Sequence, residues 1–90
     1  MSAPYRSTPE FDETTLPAAL RSNHSTKAGV WGVIRVLEGQ LRLRYAEPPA
    51  ERVLGAGEHG VCQPEQVHSV EPIGAVRMRV DFYDHAPENP

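Results

Sequence analysis

Two histidines, His24 and His68, carry the most suggestive chemistry in this chain. Neutral imidazole ligates zinc, iron, nickel and copper, and two imidazoles with one carboxylate leave coordination positions open to water or a small molecule. His24 lies in "SNHSTKAG", immediately before the most hydrophobic run of the sequence, and His68 lies in "PEQVHSVEP". Glu71 is the carboxylate nearest to His68 and completes a candidate metal set. Its offset of three residues places it on the opposite face of a regular strand unless the chain bulges there. His59 and Asp81 are reserve ligands. Thr26 and Lys27 flank His24 and are candidate substrate-binding residues, because an ammonium donates up to three hydrogen bonds and a hydroxyl donates or accepts. Trp31 is a large core or cavity-wall side chain that also offers a face for stacking on a substrate. Cys62, on an apolar stretch, reads as an inert packed thiol, since reactivity requires a lowered pKa. His85, in a polar tail, is assigned no function.

The elements that must hold these residues are short strands. From Val30 the composition shifts to Val, Ile, Leu and Trp, and Glu38-Gly39 is the kind of turn that joins two strands of a hairpin. The following "QLRLRYA" alternates, with Leu41, Leu43 and Tyr45 on one face and Arg42 and Arg44 on the other. Pro48 and Pro49 break that run. "RVLGAGE", "HGVCQP" and "VHSVEP" supply further short strands between Gly and Pro turns, and "AVRMRVDFYDH" alternates again. "TLPAALRSN" suits a single helical turn behind Pro17. Residues 1–16, rich in Ser, Thr, Pro and acids, are expected to form an arm with little regular structure. Residues 17–84 form the barrel and 85–90 a polar tail. The pattern predicts an all-β sandwich or small barrel in which alternate side chains point inward, so that segments distant in sequence meet around one cavity.

Composition narrows the function classes. Ninety residues with 39% hydrophobic content make one small domain. A net charge of −3 and a pI near 5.7 give no basic excess for nucleic-acid phosphates or anionic lipid. One cysteine precludes an intramolecular disulfide, and the N-terminal residues lack the pattern of a secretion signal, so a cytoplasmic location is expected. No apolar run reaches the roughly 18 residues of a membrane-spanning helix.

The order of these features resembles the two motifs of the cupin family. Gly57, Pro64 and His68 fit the second motif, with each interval one residue off. The first motif is degenerate: Gly39 is in place, but Gly32 occupies the usual glutamate position and Thr26 stands where a second histidine would be. A closer resemblance runs through His24, Thr26, Lys27, Gly29, Trp31 and Gly32, then "VLEG" at Val36 to Gly39, Pro64 to Glu71, and the terminal "DFY". On these residues the chain is similar to the TehB/YeaR-like domain family, a small cupin found alone or at the N-terminus of some tellurite-resistance methyltransferases. The resemblance implies a single-domain double-stranded β-helix (jelly-roll) barrel that binds a divalent metal, zinc, iron or nickel. It also implies an association with tellurite or with oxidative or nitrosative stress, and ninety residues leave no room for a methyltransferase domain. The expected function is a metal-binding protein holding a small-molecule or oxyanion ligand and pairing as a homodimer. The alternative is a metal-dependent small-molecule enzyme of oxygenase, isomerase or hydrolase type.

Overall fold

The structure, a computed structural model, describes residues 3–88; residues 1, 2, 89 and 90, which fall in the expected arm and tail, lie outside the described residues. Two strands are longer than the punctuation of the sequence suggests. β3 runs Trp31–Ala46 and β6 runs His68–Tyr83, 16 residues each. They pair antiparallel from Trp31 opposite Tyr83 to Tyr45 opposite His68. The expected hairpin at Glu38-Gly39 is replaced by a bulge within one strand. The register shifts between Val36 and Glu38 and again between Gly39 and Gln40, where β6 carries the residues between Ile73 and Val76 unpaired. Gly39 has φ +76°, and a Cβ there would run into the Ala75 carbonyl oxygen. Only glycine fits this point, because any other residue adds both a strained backbone and a collision.

The bulge switches the inward face. Before it Ile34 and Val36 point into the core, and after it Leu41 and Leu43 do, so that inward positions change from even to odd across Gly39. All four join one buried cluster with Leu54, Val70, Val76, Met78 and Val80, so both halves of the long strand pair wrap around a single core. Leu41, Leu43, Leu54 and Met78 are 0% exposed, and burial of side chains of this kind stabilises by about 1.5–3 kcal/mol each.

The remaining strands complete the wrap. β4 (Pro49–Gly55) returns along the second half of β3 after the turn at Glu47-Pro48. β5 (His59–Cys62) pairs with the first half, Gly32 opposite Cys62. The N-terminal segment is more regular than its composition suggests. β1 (Arg6–Ser7) and β2 (Phe11–Asp12) both pair antiparallel with β6. The helical turn α1 (Ala18–Arg21) follows Pro17; Leu16, just before it, joins the core and Leu20, within it, packs against the core. No helix among the described residues is long and apolar enough to cross a membrane.

Candidate functional site

His24 and His68 come together. His24 forms an isolated antiparallel bridge with His68, the first residue of β6. Each backbone N–H donates to the other's carbonyl at 2.9 Å, which makes them a hydrogen-bonded pair of the antiparallel type. Their ring centroids are 4.1 Å apart with 61° between the planes. The side chains repeat one another's bonding: His24 Nδ1 is 2.9 Å from the Ser22 carbonyl and His68 Nδ1 is 2.8 Å from the Gln66 carbonyl. A carbonyl only accepts, so each Nδ1 must donate, and each neutral ring is left with its lone pair on Nε2. Carbonyl bonding of this kind is how metal-ligating histidines have their rings oriented. His68 is 4% exposed. Burial pushes its pKa below the ordinary imidazole value; the bond to the Gln66 carbonyl opposes that shift and the charge of His24 reinforces it.

Both rings line a cavity of about 360 Å³ whose apolar wall includes Leu20, Ile34, Val70, Met78, Val80 and Phe82. Gly32 forms part of the same wall. An added Cβ there would meet Thr26, Val80 and Cys62 only at 3.6–3.9 Å, ordinary contact distances. The position that carries glutamate in the usual first cupin motif is therefore a small open recess in this chain. Cys62 also faces the cavity, but burial pushes its thiol up to about 12, so it remains protonated at neutral pH and is a poor ligand.

The other candidates are distributed as follows. Thr26 lines the cavity, but its hydroxyl donates to the Val30 carbonyl at 2.7 Å and its own carbonyl accepts from Glu65 N–H at 3.1 Å. It fixes the loop that carries His24 to the loop before His68. Lys27 lies at the cavity, exposed. Trp31 is not among the lining residues: it sits at the start of β3 with the opposite parity to Gly32 and Ile34, paired with Tyr83. Glu71 is brought elsewhere. The odd offset from His68 puts it on the outer face of β6, where it is half-exposed and accepts from Arg42 Nη1 at 2.8 Å. Asp81 is buried on the outer face, held by Ser7, Arg35 and Arg79. His59 lines a separate shallow depression with Tyr45 and Arg52. Among the described residues no cluster of three His, Cys, Asp or Glu side chains suits a metal ion.

Arg6 is a cavity residue that the sequence did not single out. It reaches the rim because β1 pairs with the far end of β6, Arg6 opposite Phe82.

A pair of long antiparallel strands around one core, with a cavity lined in part by two histidines, is the architecture of a small cupin. A cupin-2 domain protein from Shewanella frigidimarina aligns with it at a TM-score of 0.58 (18% identity, 86% of this chain and 63% of that one). The iron(II) form of HppE aligns at 0.64 (19% identity, 82% and 40%). Within that class the chain belongs to the TehB-like domain family, whose profile matches residues 6–80. It is 32% identical over 88 residues to the uncharacterized protein YeaR of Escherichia coli strain K12, covering 87% of this chain and 74% of that protein. The structure of TehB from Haemophilus influenzae matches with a TM-score of 0.80 at 27% identity, over 88% of this chain and 30% of TehB.

Proposed function

We propose that this domain is a cupin-type binding protein that holds a divalent metal on His24 and His68 and a small molecule in the adjoining cavity. The observation that carries the reading is the matched commitment of both Nδ1 atoms to backbone carbonyls, which presents two Nε2 lone pairs at one cavity. Burial of His68 favours its neutral, ligating form. Similarity to the iron(II) form of HppE adds support at the level of fold. With two protein ligands, water or the bound small molecule would fill the other positions, and the ion would serve as a Lewis acid toward it. The family resemblance extends the proposal to tellurite or oxidative and nitrosative stress. A homodimer belongs to it as well: β4 ends the strand order β1-β6-β3-β4, leaving an edge where a second copy could pair. Sedimentation velocity reads that directly.

The test of the metal is elemental analysis of tag-free protein after incubation with zinc, iron(II) or nickel. His24→Ala and His68→Ala should each abolish stoichiometric binding and the accompanying stabilisation, about 2.7 kcal/mol when free metal is a hundredfold above Kd and read as a rise in melting temperature. His85→Ala should do neither. Retention of metal by both single variants would refute the proposal.

A further inference from the structure

We infer that the cavity selects a small amphipathic anion, an apolar body ending in a carboxylate, phosphonate or similar oxyanion headgroup. This rests on reading the cavity as a small-molecule site, and it names the chemical class that the site takes. Three observations carry it. The cavity, about 360 Å³, is within the usual size range of small-molecule pockets, about 300–1,000 Å³. Its interior wall is aliphatic and aromatic, contributed by Leu20, Ile34, Val70, Met78, Val80 and Phe82, so the buried part of an occupant gains most by being apolar. The third observation is the charge distribution. None of the chain's 12 acidic residues lines this cavity, although acids outnumber the 9 lysines and arginines overall.

The only formally charged residues lining the cavity at neutral pH are Arg6 and Lys27, and neither takes part in an ion pair among the described residues. On the outer face Arg42 and Arg44 pair with Glu71 and Glu51, and Arg35 and Arg79 share Asp81. Arg21 and Arg52, the other cations without an ion pair among the described residues, do not line this cavity. Arg6 and Lys27 come from different segments, β1 and the loop after His24, and both are exposed. Two unpaired cations beside an apolar chamber without a counter-charge favour an occupant that brings its own negative charge to the rim and leaves its hydrocarbon inside. Thr26 cannot supply the donor, since its hydroxyl hydrogen is given to Val30.

The experiment is a methyl and amide NMR titration of metal-free protein in EDTA with hexanoate, hexylphosphonate, hexanol and hexylamine, repeated on protein incubated with zinc. The anions should bind roughly tenfold more tightly than hexanol, with the amine weakest, and the shifts should centre on Ile34, Val70, Met78 and Val80. Arg6→Met and Lys27→Met, both at exposed positions, should each narrow the preference for the anions while leaving hexanol binding unchanged. Added salt should narrow it as well. Equal affinity for hexanol and hexanoate, shifts that map outside the cavity, or an undiminished preference in the Arg6→Met, Lys27→Met double variant would each overturn the inference. The metal-free arm separates this from the metal proposal. Anion preference without any zinc uptake upholds the ligand class and removes the metal; zinc uptake without anion preference does the reverse.

Discussion

His24 and His68 are joined twice over, by reciprocal backbone hydrogen bonds at 2.9 Å and by ring centroids 4.1 Å apart. Each ring is also tethered to the carbonyl two residues before it. The neutral rings should therefore both be Nδ1–H tautomers. Nitrogen-15 chemical shifts of metal-free protein at pH 8 should show the Nδ1-protonated pattern for these two histidines and not for His59, which has no such tether among the described residues. An Nε2–H pattern at either would mean that its lone pair is turned away from the cavity.

The pH dependence follows from burial. His68 in the folded chain holds its proton less readily than the ordinary imidazole at 6.5. The unfolded chain therefore binds more protons than the folded one just below that pH. The contribution to stability is complete above about 6.5, declines as the pH falls through that value, and levels off once the folded ring is protonated too. Urea denaturation of metal-free protein should show this decline, and His68→Gln should flatten it. Direct NMR titration should give His68 a midpoint below 6.5.

Gly32 offers a gain-of-function test. A Cβ fits there without close contact, and a Gly32→Glu carboxylate would project from the cavity wall that also holds His24 and His68. Without metal the variant should be less stable than the parent, because an unpaired carboxylate in an apolar wall is costly. With zinc it should recover, and its affinity should exceed the parent's by roughly tenfold or more as a third protein ligand is added. Thermal melts with and without zinc measure both effects. Unchanged zinc affinity would separate position 32 from the metal.

Two glycines with similar backbone angles should respond differently to alanine. Gly39 has φ +76° and its Cβ would strike the Ala75 carbonyl, whereas Gly57 has φ +84° with nothing within 4 Å. Gly57→Ala should cost only the backbone penalty, about 1 kcal/mol. Gly39→Ala should cost at least about 2 kcal/mol more, lowering the melting temperature by roughly 10 °C further in a domain of this size. Equal losses would show that β6 yields at Ala75 without penalty.

The parts of this molecule legible in its sequence are those governed by local alternation. Leu41, Leu43 and Tyr45 turn toward the core while Arg42 and Arg44 meet Glu71 and Glu51 outside, as their period of two requires. The same parity rule excludes Glu71 from the side of β6 that carries His68. The junctions between strands are not legible in this way. Gly39 carries the same residue signal whether the chain reverses or merely bulges, and only the long-range pairing with β6 decides between them. The meeting of His24 and His68 follows from the family motif and not from periodicity, since they are far apart in sequence. Arg6 had no local mark: β1 is two residues long, and pairing with Phe82 alone carries its side chain to the cavity.

One wall of the cavity is thus only as durable as the pairing of β1 with β6. Tyr5 N–H donates to the Phe82 carbonyl at 3.0 Å and Thr8 N–H to the Val80 carbonyl at 2.9 Å, and the strand between them is exposed. So short a segment opens at low free-energy cost relative to the core. A molecule that binds only the closed form lowers the population of the open one by a factor of one plus the ratio of its free concentration to Kd. The Tyr5 and Thr8 amides are therefore a built-in gauge: their hydrogen-exchange rates should fall as the cavity fills, whatever fills it. Cutting or rigidly extending the chain near Arg6 should loosen the grip on a ligand while leaving the fold around Leu41 and Leu43 intact.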